Sequence, residues 1–107
     1  MERFGEFIKR LRTEKGFNQT QLAAKIGLDS GGLSKIETGK KDLKEDKLTL
    51  LAKIFGISID EIKKQYFSDK FAEDCYKYKC PDTVFELAEQ KVKYIKNIKV
   101  RQGKLKL

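Results

Sequence analysis

Apolar residues recur along this chain at three- and four-residue intervals, and most of these runs are closed by a glycine or proline, which is the pattern of short amphipathic helices. Phe4, Phe7, Ile8 and Leu11 predict a first helix from about Arg3 to Lys15, with Gly16 as its stop. Leu22, Ala23 and Ile26 predict a second, opened by Asn18 as N-cap with Gln21 reaching back in a capping box, and closed at Gly27. Leu33 and Ile36 continue the spacing in a short third helix, capped by Asp29 or Ser30 and ended at Gly39. The run KKDLKEDK after it is polar and predicts a solvated loop. Leu48, Leu51, Ala52 and Phe55 mark a fourth helix stopped by Gly56, and Ser58 with Glu61 is a capping-box signature for a fifth, in which Ile59, Ile62 and Tyr66 close the core. Runs of alternating β-branched residues are missing, so the expected fold class is all-α.

Beyond Phe67 the pattern changes. SDKFAEDCYKYK predicts a helix or half-helix with Phe71, Cys75 and Tyr78 on one side, ended by Pro81. Pro81, Asp82 and Thr83 then open another helix running to about Gln102, with Phe85, Ala88, Val92 and Ile95 along one side. Such a stripe needs a partner surface. The expected organisation is a five-helix domain over residues 1–66 and a C-terminal helical extension over 67–107, which ends in a basic tail with no acid after Gln90.

Length and charge narrow the chemistry. A chain of 107 residues suits one core, and a net charge of +8 favours polyanionic partners, nucleic acid first among them. No apolar run approaches the roughly 20 residues that span a bilayer, and MERFGEFIKR carries acids without the apolar centre of a signal peptide, so a cytoplasmic protein without a membrane partner is expected. The tail lacks the tryptophan and the apolar content of a membrane-surface anchor. Cys75 and Cys80 are the only cysteines and there is no histidine, so one chain cannot complete a four-ligand zinc site; free thiols, no metal and no cofactor are expected. Without a histidine, a phosphate-cradling glycine loop or a carboxylate pair in an apolar setting, no residue presents itself as catalytic. The aromatics Tyr66, Phe67, Phe71, Tyr76 and Tyr78 read as core and interface before they read as a base-stacking platform.

Residues 19–39, QTQLAAKIGLDSGGLSKIETG, spell two short helices joined by a tight turn at Gly27, the layout of a DNA-reading helix-turn-helix. Together with FIKRLR before it and KLTLLAKIFGISIDEI after it, this stretch resembles the helix-turn-helix family of the lambdoid phage repressors and Cro proteins. The resemblance implies a compact five-helix domain that binds double-stranded DNA, its third helix in the major groove. It further implies that Gln19 holds a phosphate and braces the recognition helix. Asp29, Ser30, Gly31 and Gly32 would form that helix's exposed start. Base contacts would come chiefly from Ser30, Ser34 and Lys35, and backbone contacts from Lys40 and Lys41. Arg12 and Glu37 match positions that form a structural ion pair in the family. Gly31 and Gly32 depart from it, standing where the family often carries base-touching side chains; close backbone approach, or a phosphate received at the helix N-terminus, would compensate. The segment from Phe67, with SDKF and ELAEQKVKYIKN, is similar to the extension of small regulators that accompany restriction-modification genes. That implies a homodimer joined through Phe85, Ala88, Val92 and Ile95. The alternative is an antitoxin or anti-repressor type of interaction protein, whose extension binds a protein partner and whose DNA binding only autoregulates.

Overall fold

The computed structural model describes residues 1–106, with side chains described for residues 1–100. Six helices and no strand occur among the described residues: α1 (Phe4–Glu14), α2 (Gln19–Lys25), α3 (Ser30–Glu37), α4 (Glu45–Phe55), α5 (Ile59–Lys77) and α6 (Thr83–Lys106). The fold is all-α, as the periodicity predicts. Two compact units divide inside α5, between Ala72 and Glu73.

In the first unit the predicted apolar positions converge. Ile8, Leu22, Ile26, Leu33, Leu48, Leu51 and Ile62 are completely buried, each contributing ~1.5–3 kcal/mol by leaving water. Tyr66 stands edge-on to Phe4, ring centroids 4.9 Å apart. The local signals act as read: Asn18 Oδ1 accepts from the Gln21 N–H at 2.8 Å while Gln21 Oε1 accepts from the Asn18 N–H at 2.8 Å. Ser58 Oγ caps the start of α5, accepting the Glu61 N–H at 3.1 Å.

The run from Lys40 to Lys47 is not the solvated loop that its polarity predicts. Its last residues, Glu45 onward, already belong to α4, and Leu43, its one apolar residue, is buried. Burial strips water from Leu43's backbone, and Tyr66 replaces it: the Leu43 N–H donates to the Tyr66 hydroxyl at 3.1 Å, and that hydroxyl donates to the Leu43 carbonyl at 3.2 Å. A phenol from α5 thereby pins the segment leading from α3 to α4.

The change of pattern at Phe67 also has a different meaning. α5 passes through it without interruption, because no glycine or proline stands between Gly56 and Pro81; what changes is the burial of its apolar residues. Ile62 and Tyr66 are buried, whereas Phe67 is 54% exposed.

In the second unit, α5 ends with Lys79 at φ 53 and α6 follows Pro81. α6 runs past the predicted end near Gln102 to Lys106, and the side chains of the last basic residues, Arg101, Lys104 and Lys106, lie outside the described ones. On α6, Phe85, Val92 and Ile95 are each about half exposed and Ala88 is half-buried.

Candidate nucleic-acid interface

α2 leaves its last turn through Gly27, whose φ of 71 is a conformation that side-chain-bearing residues avoid. The Leu28 N–H returns to the Ala23 carbonyl at 2.8 Å, and the chain enters α3 one residue later. Asp29 is the cap: its Oδ1 accepts the Gly32 N–H at 2.6 Å. Both glycines therefore lie inside the first turn of α3, in different surroundings. Gly31 is exposed, whereas Gly32 is buried, and a Cβ there would stand 3.0 Å from Asp29 Oδ1 and 3.6 Å from Lys41 Nζ.

This arrangement bears on two expectations drawn from the resemblance. Gly32 faces its own cap, so its N–H is unavailable to a phosphate and its Cα surface to a base. The N-terminus of α3 already holds a carboxylate, which repels a phosphate where an uncapped helix end would receive one. Ser30, Gly31 and Lys35 remain on the exposed side with Ser34 half-buried beside them, and Lys35, Lys40 and Lys41 make no ion pair among the described residues. Lys40 is tied to the end of α3 by its backbone, its N–H reaching the Lys35 carbonyl at 2.7 Å.

A buried polar cluster holds the far end of α3. Arg12 Nε donates to Glu37 Oε2 at 2.7 Å and its Nη2 to Oε1 at 3.2 Å, with the two side chains only 9% and 3% exposed. Arg12 Nη1 donates to the Phe17 carbonyl at 2.9 Å, and Gln19 Nε2 donates to Glu37 Oε1 at 3.1 Å. One carboxylate thus joins α1, the start of α2 and the end of α3, and no side-chain N or O atom is buried without a partner among the described residues. In such clusters desolvation offsets much of the attraction, so the gain lies in a fixed angle between helices. Gln19 is half-buried, with its amide nitrogen engaged inward on Glu37.

Two residues escaped the sequence reading. Gly5 lies where α1 crosses the end of α3, and a Cβ there would come within 2.3 Å of the Glu37 carbonyl oxygen. A buried glycine amid helical periodicity was the available signal. Lys47, within the run read as a loop, extends from α4 to the turn of the motif, where a Cβ on Gly27 would meet its Nζ at 2.9 Å. Only the fold brings that ammonium to the α2–α3 turn.

The helix-turn-helix family HTH_3 matches residues 8–62, the stretch from α1 into α5. The prophage-derived, uncharacterized HTH-type transcriptional regulator YonR of Bacillus subtilis (strain 168) is 39% identical over 61 residues, covering 57% of this chain and 56% of YonR, so the chain spans about half the length of that relative. The control protein C.MunI of Mycoplasma sp is 38% identical over 68 residues, 63% of this chain and 86% of that protein. Among solved structures, a SinR protein/SinI protein complex shares the fold with a TM-score of 0.52 at 22% identity, over 88% of this chain and 98% of the matched one. These relatives are regulators and control proteins, and no enzyme family is indicated. With the family matched over half its length on top of this geometry, the chain belongs to the Cro/C1-type helix-turn-helix family of transcriptional regulators.

Proposed function

We propose that this chain is a sequence-specific regulator of transcription that binds double-stranded DNA as a homodimer, with α3 in the major groove. The observation that carries the reading is the combination at α3: an exposed edge with Ser30, Ser34 and Lys35, unpaired Lys40 and Lys41 beside it, and a buried Arg12–Glu37–Gln19 cluster fixing its far end. Lysines 40 and 41 set the register on phosphates, joined by Lys47 at the α2–α3 turn, and Ser30, Ser34 and Lys35 read base edges. The net charge of +8 supplies attraction to any duplex, so selectivity rests on the few groups of α3. The half-exposed stripe of Phe85, Val92 and Ile95 with Ala88 favours a second copy of the chain as its cover. Control of a restriction-modification locus is the most specific form of this reading, supported by the likeness to C.MunI. A regulator of this kind works in the cytoplasm, where the DNA is; no helix among the described residues is long and apolar enough to cross a membrane.

Selection of bound duplexes from a random library at two salt concentrations tests the proposal, and a site with two related halves is the expected result. Lys35→Ala then costs ~1–3 kcal/mol and relaxes preference at one position, whereas Lys40→Ala weakens all sequences alike and lowers the salt slope by about 0.9. Uniform losses for both variants would remove α3 from its reading role.

The antitoxin or anti-repressor reading draws on the same half-exposed stripe, covered by a different protein; the matched SinR structure is itself a complex with SinI. Sedimentation of the purified chain separates the two, since a homodimer covers the stripe and a monomer leaves it for another partner.

A further inference from the structure

We propose that Cys75 and Cys80 form a reversible intramolecular disulfide across the C-terminal cap of α5, closed by reaction with a hydroperoxide, and that the α5–α6 turn is a redox-responsive clasp. The geometry starts with the backbone. The Cys80 N–H donates to the Cys75 carbonyl at 2.9 Å and the Lys79 N–H to the Tyr76 carbonyl at 3.3 Å, with Lys79 itself at φ 53. This pairing of six-to-one and five-to-two bonds is the Schellman cap, and in it the residues that meet side chain to side chain are the two occupied by cysteine.

Both thiols are free and half-buried, and the backbone bond from the Cys80 N–H to the Cys75 carbonyl holds the two residues side by side. Lys79 holds a left-handed conformation without being a glycine, so the turn that brings the sulfurs together is fixed against a local preference. Packing alone would be served by any small apolar pair, and the chain has no other cysteine to spend. No group of three or more metal-ligating side chains exists among the described residues, so the pair is not part of a metal cluster within the chain. Burial, then the neighbouring Cys80 thiol and Asp74, hold the Cys75 thiol above its ordinary value. Either sulfur can attack the peroxide with the other resolving, and the steps are written with Cys80 attacking.

The chemistry balances in two steps. Cys80 sulfur, its thiol proton lost, attacks one peroxide oxygen; the O–O bond breaks, sulfur is oxidised to the sulfenic acid, and the other oxygen leaves as water or an alcohol after taking up a proton. Cys75 sulfur then attacks the sulfenic sulfur, its proton leaves with the displaced hydroxyl as water, and the S–S bond forms. A dithiol returns both sulfurs to thiols.

The test uses the full chain, reduced and then treated with one equivalent of hydrogen peroxide, followed by intact mass and non-reducing peptide mapping. The expected product has lost two hydrogen atoms and carries a Cys75–Cys80 link. A short connection gives an effective concentration near the millimolar range, so at roughly 10 µM protein the internal bridge should exceed cross-linked chains by about 100-fold. Cys75→Ser should leave a sulfenic acid on Cys80 that dimedone traps, and in the oxidised wild type dithiothreitol should open the bridge and restore both thiols. Cross-linked chains as the main product, sulfinic acid without a bridge, or unreacted thiols in the folded wild type would each overturn the proposal.

Discussion

Replacing Gly5 by alanine should unseat α3, although alanine is the better helix former. An added Cβ would lie 2.3 Å from the Glu37 carbonyl oxygen and 2.7 Å from both the Glu37 carbonyl carbon and the Ile36 oxygen. A tolerable C···O contact needs ~3.3 Å, so the end of α3 must retreat by about 1 Å. The atoms struck are backbone and cannot rotate away, which places the cost near the top of the overpacking range, ~3 kcal/mol. Alanine's higher helix propensity returns ~1 kcal/mol, leaving a net loss of ~2 kcal/mol. For a unit of this size that lowers the melting temperature by ~8–16 °C, read by far-ultraviolet circular dichroism. Gly31→Ala is the matched control: its Cβ meets only Asp29 Oδ1, at an ordinary 3.6 Å, so the same substitution should stabilise by ~0.5–1 kcal/mol. The signs are therefore opposite. A Gly5→Ala protein as stable as the parent, or two variants moving in the same direction, would refute the claim that α1 and α3 meet backbone to backbone.

The buried pair gives a second contrast. Arg12→Met strands the Glu37 carboxylate and should cost ~3–5 kcal/mol in chemical denaturation, whereas Arg12→Met with Glu37→Met should recover most of it; equal losses would mean that the charges are not coupled. Asp29→Ala should cost ~1 kcal/mol through the lost cap, while Asp29→Asn keeps the acceptor and costs a few tenths. The asparagine variant should also bind duplex DNA more tightly at low salt, because a negative charge has left the end of α3; weaker binding would place Asp29 in a direct contact with the DNA. Because its thiol is raised, Cys75 has less thiolate at neutral pH than an ordinary cysteine, so its alkylation by iodoacetamide should start slowly and climb as pH rises through the shifted value. Cys80→Ala should move that rise to lower pH, and an unchanged profile would remove Cys80 as a cause.

The first unit was legible because its local and global signals agree. Asn18 with Gln21, Gly27 in the turn and the stripe of Leu22, Ile26, Leu33 and Leu48 all specify the same packing. What stayed hidden depends on contacts distant in sequence. Leu43 reads as a stray apolar residue among lysines until Tyr66, from another helix, satisfies both its backbone groups. Gly5 reads as a weak point of α1 until α3 is laid across it. The continuity of α5 was misread because a change in burial was taken for a change in structure, although no helix breaker stands there. At the start of α3, Asp29 is one of the two N-caps that the sequence offers, and its bond engages the N–H of Gly32, a residue to which the resemblance gives an outward role.

That bond limits how α3 can select a site. Of its eight residues, Gly32, Leu33, Ile36 and Glu37 are buried, and Gly31 has no side chain to offer. Just beyond, Thr38 spends its hydroxyl on the carbonyls of Ser34 and Lys35, at 3.0 Å and 3.3 Å. In the proposed major-groove role, two hydroxyls and one ammonium are left to face base edges. A good bidentate contact discriminates by ~1–3 kcal/mol, and only Lys35 can make one. Specific sites stand ~4–10 kcal/mol above random DNA, so one copy of α3 falls short by direct reading. In the proposed homodimer a second copy would double the reading surface and add its own lysines, and sequence-dependent deformation of the duplex between two half-sites would supply the remainder. A monomer that selected one short site with full discrimination would contradict this division, because its α3 lacks the side chains to do so.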